Sequence, residues 1–155
     1  SEVFCVDASA FALDGVERNA ALNGVAEKMT CVEGDAFEAM RELKNAEERF
    51  DVVITDPPAF IKRKKDIKNG EAAYRRLNET AMRLLNKDGI LVSASCSMHL
   101  EEDNLQNILL GSARHLDRNI QLLERGSQGP DHPVHPAIPE TRYIKSITCR
   151  ILPNS

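Results

Sequence analysis

The regular alternation of short apolar segments with amphipathic segments constrains the fold of this chain more than any other feature. Short apolar segments rich in β-branched residues predict strands, and apolar residues recurring every three or four positions predict helices. Strands are predicted at 3–6, 29–33, 50–55, 90–95, 120–123 and 143–152, and helices at 11–23, 36–48, 71–86 and 100–116. Strands alternating with helices predict an α/β fold, a doubly wound, mostly parallel sheet with helices on both faces.

Composition excludes several classes of protein. The chain has 155 residues, 42% hydrophobic and 28% charged, which is enough for one domain with an apolar core. A net charge of −4 argues against a generally polycationic nucleic-acid coat. No apolar run approaches the roughly 20 residues that a membrane span needs.

The four cysteines are scattered, and no two form a C-x-x-C pair. Cys5, Cys31 and Cys149 fall within predicted strands, which favours small core residues over a disulfide framework or a zinc site. His132 and His135 have no further candidate ligands near them in the sequence, so no metal site is predicted. Reduced thiols predict a cytoplasmic protein.

Polar residues collect where the predicted strands end. Three of these ends carry an acid, Asp7, Asp35 or Asp56, and a fourth carries Cys96 between two serines. In open parallel sheets, ligands bind outside the carboxyl ends of the strands. The pattern predicts one shared pocket.

The first two strand ends suit a nucleotide ligand. Asp7, in Asp7-Ala-Ser9, is placed to accept hydrogen bonds from ribose hydroxyls. Asp35, followed by Ala36 and Phe37, suits an adenine whose amino group needs an acceptor and whose ring needs an apolar cover. For each acid the alternative is a helix N-cap.

The third strand end is more specific. Proline cannot extend a central strand, so Pro57 and Pro58 after Asp56 predict a rigid, extended exit from the sheet. Backbone carbonyls there can accept from the amino group of a planar substrate, and Phe60 can stack on its ring. A purely structural turn is the alternative.

These motifs resemble those of class I S-adenosylmethionine-dependent methyltransferases that act on nucleic-acid bases. One branch, the bacterial large-subunit ribosomal RNA cytosine-C5 methyltransferase I family, is similar along nearly the whole chain. The motifs that carry the resemblance are Asp56-Pro-Pro-x-Phe60, Tyr74-Arg-Arg-Leu-Asn78, Leu84-Leu85, Gly89-Ile-Leu, Ser95-Cys96-Ser97, Asp131-His132-Pro133 and Tyr143-Ile-Lys145. The resemblance implies a Rossmann-like methyltransferase fold, S-adenosylmethionine as cofactor and ribosomal RNA as partner.

The resemblance also implies roles for individual residues. Cys96 becomes the catalytic nucleophile, because C5 of cytosine needs a thiolate at C6 before it can take a methyl group, and cysteine is both a strong nucleophile and a good leaving group. Asp56 is expected in catalysis and at the cofactor. The predicted cofactor residues are Asp7, Ser9, Asp35, Ala36, Phe37 and Asp56, and those expected at the base are Pro57, Pro58 and Phe60.

A basic run follows Phe60 directly. Lys62, Arg63, Lys64 and Lys65 would flank the mouth of the base pocket and bind RNA phosphates. The alternative is a solvated loop.

Two features of the family pattern are absent from residues 1–155. No glycine-rich strand-turn-helix precedes Asp7, and there is no small N-terminal RNA-binding domain. We therefore expect residues 1–155 to form a partial methyltransferase domain whose sheet lacks its first strand. The strands at 3–6 and 52–55 would then pair directly, or a second copy would supply a strand through self-association.

Two rival functions stay open at this point. An amino-group or guanine methyltransferase can also use Asp-Pro-Pro-x-Phe. In such an enzyme Asp56 is the catalytic residue and Cys96 has no part in the reaction. A noncatalytic α/β binding module is the other.

Overall fold

The computed structural model describes residues 1–154 and confirms the predicted alternation of strands and helices. The elements, in order, are β1 (Val3–Asp7), α1 (Ala10–Leu22), β2 (Met29–Glu33), α2 (Ala36–Asn45), β3 (Phe50–Thr55), α3 (Ile67–Leu84), β4 (Leu85–Ser95), α4 (Glu102–His115), β5 (Arg118–Ser127) and β6 (Lys145–Pro153). The chain divides into two compact units, an N-terminal unit of Ser1–Glu47 and a C-terminal unit from Glu48 onward. None of the helices within residues 1–154 combines the length and the apolar character that crossing a bilayer requires.

The N-terminal unit contains one parallel strand pair and two helices. β1 and β2 pair in register from Val3 opposite Met29 to Asp7 opposite Glu33, with α1 as the crossover between them. Both helices begin where a side chain caps them, Ser9 for α1 and Asp35 for α2. These two caps fix the residues at which α1 and α2 begin.

The C-terminal unit contains a four-stranded sheet in the order β3-β4-β6-β5. β3 and β4 are parallel, as predicted, but β6 runs antiparallel to both β4 and β5. No crossover helix joins β5 to β6, so the chain turns back, and a strand that turns back pairs antiparallel. The sheet is therefore mixed instead of mostly parallel in this half of the fold.

Helices α3 and α4 pack on each other and on one face of this sheet. Alternate residues of β6, Ile147, Cys149 and Ile151, are buried on that face, as strand periodicity requires. In β3, the hydroxyl of Thr55 bonds to Asn78 of α3, so Thr55 faces the helices. Val52 and Ile54 point to the opposite face of the sheet, where they are exposed. The core of the unit lies between the sheet and its two helices.

Among the helices, α3 differs most from the predicted boundaries. The helix predicted at 71–86 begins earlier, at Ile67, and ends at Leu84, and β4 starts at Leu85. Leu85 pairs with Phe50, and the register then jumps to Ile90 opposite Val52. The irregularity accommodates the Asp88-Gly89 stretch, in which Asp88 has φ 63°.

The expected direct pairing of residues 3–6 with 52–55 is wrong. Among the strands described, β1 is paired with β2 and β3 with β4, in two separate sheets. Helix α1 connects β1 to β2, and helix α3 connects β3 to β4. Each parallel pair is therefore a complete βαβ arrangement that needs no hydrogen bonds between β1 and β3.

Candidate active site

Asp7 and Ser9 lie at the carboxyl end of β1. The backbone N–H of Ser9 donates to Oδ1 of Asp7 at 2.7 Å, and the Ser9 hydroxyl accepts from the N–H of Ala12 at 3.3 Å. Ser9, not Asp7, is therefore the N-cap of α1, and the capping alternative for Asp7 is wrong. The exposed Asp7 carboxylate keeps a second oxygen that can accept from ligand hydroxyls.

Asp35 is a helix cap, as its alternative interpretation proposed. Its Oδ1 accepts from the N–H groups of Phe37 at 2.9 Å and Glu38 at 3.1 Å. Ala36 is exposed and Phe37 is half-buried in the first turn of α2. The cap occupies one carboxylate oxygen, and the Gly34 N–H bonds to the carbonyl of Asp7 at 3.0 Å, so the two acidic strand ends are neighbours.

Asp56 to Pro58 leave β3 as an irregular loop, with Asp56 and Pro58 exposed and Pro57 half-buried, and the loop is anchored at its base. The hydroxyl of Thr55 donates to Oδ1 of Asn78 at 3.2 Å, and Asn78 Nδ2 donates to the carbonyl of Tyr74 at 2.9 Å. Both α3 residues are fully buried. The start of the loop is thereby tied to helix α3.

Phe60 and Ile61, at the other end of the same loop, contact both α3 and the residue after Cys96. The Phe60 ring meets the Tyr74 ring edge-on, with centroids 4.9 Å apart, and the Ile61 N–H donates to the Ser97 hydroxyl at 3.3 Å. Gly70 of α3 faces this segment so closely that a Cβ there would collide with the Ile61 side chain. A glycine is required at this helix position for the loop to pack.

Cys96 is half-buried at the carboxyl end of β4, between two buried serines. The Tyr74 hydroxyl bonds to Ser95 Oγ at 2.8 Å and to Ser97 Oγ at 2.9 Å, and the Ser97 N–H donates to Ser95 Oγ at 3.1 Å. Because β3 and β4 are adjacent and parallel, the Asp56 loop and Cys96 leave the sheet at the same edge. One hydroxyl network therefore joins the predicted base loop to the two serines that flank the predicted nucleophile.

The other cysteines are in different environments. Cys149 is fully buried on β6, its Sγ lies 3.6 Å from the carbonyl oxygen of Leu91, and burial raises the pKa of this thiol to about 12. Cys149 is the small core residue that was predicted. Cys5 and Cys31 lie opposite each other in the β1–β2 ladder.

The predicted phosphate-binding run is solvent-exposed. Lys62, Arg63, Lys64 and Lys65 are all exposed, and Arg63 is paired with Asp66 at 3.0 Å. The run continues directly from Phe60 and Ile61, so its position next to the loop is as predicted. Exposure agrees both with phosphate binding and with a solvated loop.

Sequence reasoning gave no individual roles to Tyr74, Asn78 or Lys145. The four-residue spacing of Gly70, Tyr74 and Asn78 places them on one face of a helix, the face that is buried here. Lys145 precedes Ile147 and Cys149 with strand periodicity, which indicates a buried lysine. Across the described part of the chain, no three or more His, Cys, Asp or Glu side chains are grouped so as to hold a metal ion.

Curated relatives match over nearly the whole chain. The ribosomal RNA large subunit methyltransferase I of Erwinia tasmaniensis is 37% identical over 152 residues, 97% of this chain and 38% of that protein. The protein of the same name from Klebsiella pneumoniae is 36% identical over the same coverage. The chain thus spans less than half the length of the curated relatives it matches.

Solved structures with low sequence identity share the fold. SMU.776, described as a methyltransferase and solved with SAH, superposes with a TM-score of 0.81 at 16% identity, over 96% of this chain and 39% of that one. NSun6 from Pyrococcus horikoshii, solved with SFG, gives 0.66 at 18% identity, over 97% and 41%. The Rossmann-like methyltransferase fold is therefore confirmed.

A family model described as a methyltransferase domain matches residues 1–129. That match covers the N-terminal unit and the C-terminal unit as far as residue 129, including the acidic strand ends, the Asp56 loop and Cys96. On this match, the chain belongs to the methyltransferase domain family.

Proposed function

We propose that this chain is part of the catalytic domain of an S-adenosylmethionine-dependent enzyme that methylates C5 of a cytosine in large-subunit ribosomal RNA through a covalent adduct with Cys96. The observation that carries the proposal is the hydroxyl network of Tyr74, Ser95 and Ser97, which joins the Asp-Pro-Pro-x-Phe loop to the turn that presents Cys96. An amino-group methyltransferase needs no cysteine at this edge of the sheet.

The N-terminal unit fits the cofactor in its donor set. S-adenosylmethionine, when bound, supplies an electrophilic methyl group on a sulfonium, attached to a ribose and an adenine. Asp7 has free acceptor capacity for ribose hydroxyls, and the Asp35 oxygen not used in the cap can accept from the adenine amine. Phe37 supplies a half-buried ring beside that site.

The C-terminal unit fits the base. The loop after Asp56 can offer backbone carbonyls to an exocyclic amine, and the Phe60 ring is held by its contact with Tyr74. The edge-on contact leaves Phe60 half-buried, so it packs against the protein on one side while staying accessible on another. A flat, amino-bearing ring is the substrate that this arrangement suits.

Covalent chemistry at Cys96 then accounts for methylation at carbon. The thiolate adds to C6 of cytosine, an S–C6 bond forms and the electron pair of the C5=C6 bond moves to C5. Bound S-adenosylmethionine would supply the methyl group that C5 takes with this electron pair, and its sulfur would keep the electrons of the broken S–CH3 bond. A base takes the C5 proton, the C5=C6 bond re-forms and the S–C6 pair returns to Cys96.

Ribosomal RNA as the substrate is supported by the relatives' names and by the basic run. Proteins called ribosomal RNA large subunit methyltransferase I are 36–37% identical to this chain over 97% of its length. Lys62 to Lys65 put exposed positive charge next to the base loop in a chain whose net charge is −4. Local positive charge of this kind suits phosphate binding.

The test is Cys96→Ala in the full-length protein, assayed with methyl-labelled cofactor and with an RNA carrying 5-fluorocytidine at the methylated position. We expect methyl transfer to fall by at least about 10³-fold, because the nucleophile is removed, with cofactor affinity unchanged. The fluorinated RNA should form a covalent adduct with the native protein and none with the variant. Cys5→Ala is the matched control and should keep both activities.

The rival enzyme predicts another result. If Asp56 acts on an amino group, Cys96→Ala keeps methyl transfer, Asp56→Ala loses it and no adduct forms with the fluorinated RNA. Methyl transfer retained by Cys96→Ala, together with a missing adduct, would end the C5 proposal. Absence of cofactor binding by the native protein would instead favour the noncatalytic module.

A further inference from the structure

Tyr74 of α3 is completely buried although its side chain carries a polar hydroxyl. A buried phenol needs a hydrogen-bond partner for that hydroxyl. Leu77, Ala81 and Leu84 of the same helix are also buried, and none of them carries a polar group. Packing alone therefore does not account for a tyrosine at this position, and the hydroxyl has to be explained by its partners.

The Tyr74 hydroxyl joins the two serines on either side of Cys96. It lies 2.8 Å from Ser95 Oγ and 2.9 Å from Ser97 Oγ, and both serines are buried. Because a phenol has one proton, its oxygen accepts from at least one of the two serines. A phenylalanine at this position could neither donate nor accept, so both serine hydroxyls would lose this partner.

Both serine hydroxyls also accept from backbone N–H groups of the site. The Ser97 N–H donates to Ser95 Oγ at 3.1 Å, and the Ile61 N–H donates to Ser97 Oγ at 3.3 Å. One of these N–H groups follows Cys96 directly, and the other follows Phe60. The phenol thus bonds the two oxygens that hold the backbone after the proposed nucleophile and after the proposed stacking ring.

The Tyr74 ring makes a separate contact with Phe60. The ring centroids are 4.9 Å apart and the planes are inclined at 60°, an edge-on arrangement that aromatic pairs favour. Gly70, one helical turn before Tyr74, leaves no room for a Cβ against Ile61, so the loop packs tightly on α3 here. The ring therefore holds Phe60 from the inside of the protein, while Phe60 itself is only half-buried.

We propose that Tyr74 is a positioning residue with two separable parts: its hydroxyl holds the Ser95–Ser97 turn that presents Cys96, and its ring holds Phe60 where the target base stacks. The roles of nucleophile and stacking ring rest on the function proposed above, whereas the two contacts rest on the geometry of Tyr74 itself. Tyr74 is completely buried, so it acts through these neighbours and touches neither the RNA nor the cofactor.

The first test measures amide hydrogen exchange in the full-length protein without RNA. In Tyr74→Phe, which removes only the hydroxyl, we expect the Ile61 and Ser97 amide protons to exchange at least about fivefold faster, because local opening becomes easier. Ser112→Ala removes an equally buried hydroxyl from α4 and is the matched control, which should leave both amides unchanged. Native exchange at either amide in Tyr74→Phe would overturn the proposal, as would an equal change in Ser112→Ala.

The second test separates the two parts of the side chain by single-turnover methyl transfer. Tyr74→Phe keeps the ring, so RNA affinity should stay within about twofold while the rate constant falls roughly tenfold, because a misplaced nucleophile slows the reaction without weakening binding. Tyr74→Leu removes the ring as well and should also weaken RNA binding, by about threefold or more, because the stacking ring is no longer held. Equal RNA affinities in Tyr74→Phe and Tyr74→Leu would overturn the proposal.

This proposal and the C5 proposal fail in different ways. If the native protein forms no adduct with the 5-fluorocytidine RNA, the C5 proposal fails, and the exchange experiment still decides the role of Tyr74. If the adduct forms and Tyr74→Phe keeps the native rate constant, the C5 proposal stands and this one fails.

If Tyr74→Phe does not fold, Ser95→Ala removes one partner of the phenol instead. The Ile61 N–H bonds to Ser97 and not to Ser95, so a change at the Ile61 amide in this variant reports the shared network. We expect that amide to exchange roughly twofold faster or more, because residues of one hydrogen-bond network are coupled. Native exchange of the Ile61 amide in Ser95→Ala would overturn the proposal.

Discussion

The N-terminal and C-terminal units differ in how much apolar surface each buries. Leu91, Leu105 and Leu109 of the C-terminal unit are completely buried between its sheet and helices. In the N-terminal unit, Phe11 is 80% exposed and Leu22 84% exposed. Local stability follows such differences in burial, so the proposed nucleophile lies on the more stable half and the proposed cofactor residues lie on the less stable one.

This contrast has a functional meaning. The Cys96 turn requires a fixed geometry, and it is held by Tyr74, Ser95 and Lys145 inside a packed core. Asp7 and Asp35 instead form local turns and caps that need only their own strand ends. The proposed nucleophile is thus positioned by tertiary contacts, and the proposed cofactor residues by local ones.

The largest expected effect tests the burial contrast. Leu105→Ala in α4 removes a completely buried side chain and should cost about 2–5 kcal/mol of unfolding free energy. Leu13→Ala in α1, at 6% exposure within a smaller set of buried neighbours, should cost roughly 2 kcal/mol, at the low end of the same range. Urea unfolding of both variants measures the difference, and equal changes in the two variants would contradict the contrast.

A smaller effect tests the cofactor residues of the N-terminal unit. Asp7→Asn and Asp35→Asn keep an acceptor for the local N–H groups but remove the charge, so each should weaken S-adenosylmethionine binding by about 1–3 kcal/mol with little change in stability. Calorimetry on the full-length protein measures this. Asp14→Asn on the exposed side of α1 is the matched control, and affinities equal to that control would reduce Asp7 and Asp35 to structural residues.

The smallest effect concerns the basic run of the C-terminal unit. Replacing Lys62, Arg63, Lys64 and Lys65 by alanine should flatten the salt dependence of RNA binding by about one unit of log–log slope for each phosphate that the variant no longer binds. Arg63 is already paired with Asp66, so we expect the lysines to account for most of the change. Replacing Lys28, Arg41 and Lys44 of the N-terminal unit is the comparison, and an equal change there would mean that the run is ordinary solvated surface.

Self-association through the strand edges stays a prediction. β1 and β3 each have one strand partner among residues 1–154, and strands of this kind can recruit another strand. Sedimentation of the isolated chain across a range of concentrations would measure it.

Much of the architecture could be predicted from residue order. Periodicity indicated every strand and helix, and the acids and the cysteine were placed at strand ends that the structure confirms. The start of β4 could not be read, because Leu85 fits a helix face and a strand equally well by pattern, and pairing with Phe50 decides between them. The direction of β6 was likewise not a local property.

The sequence by itself determined the alternation of elements, the chemistry at each strand end and the buried character of alternate positions in β6, because these depend on residue type and spacing along the chain. The tertiary structure alone decided that β6 inserts between β4 and β5, and with it that Lys145 lies opposite Ser95. The two residues are fifty positions apart in the chain. Periodicity reports which face a side chain occupies but not which strand lies beside it, and the partner is selected by the packing of the whole sheet.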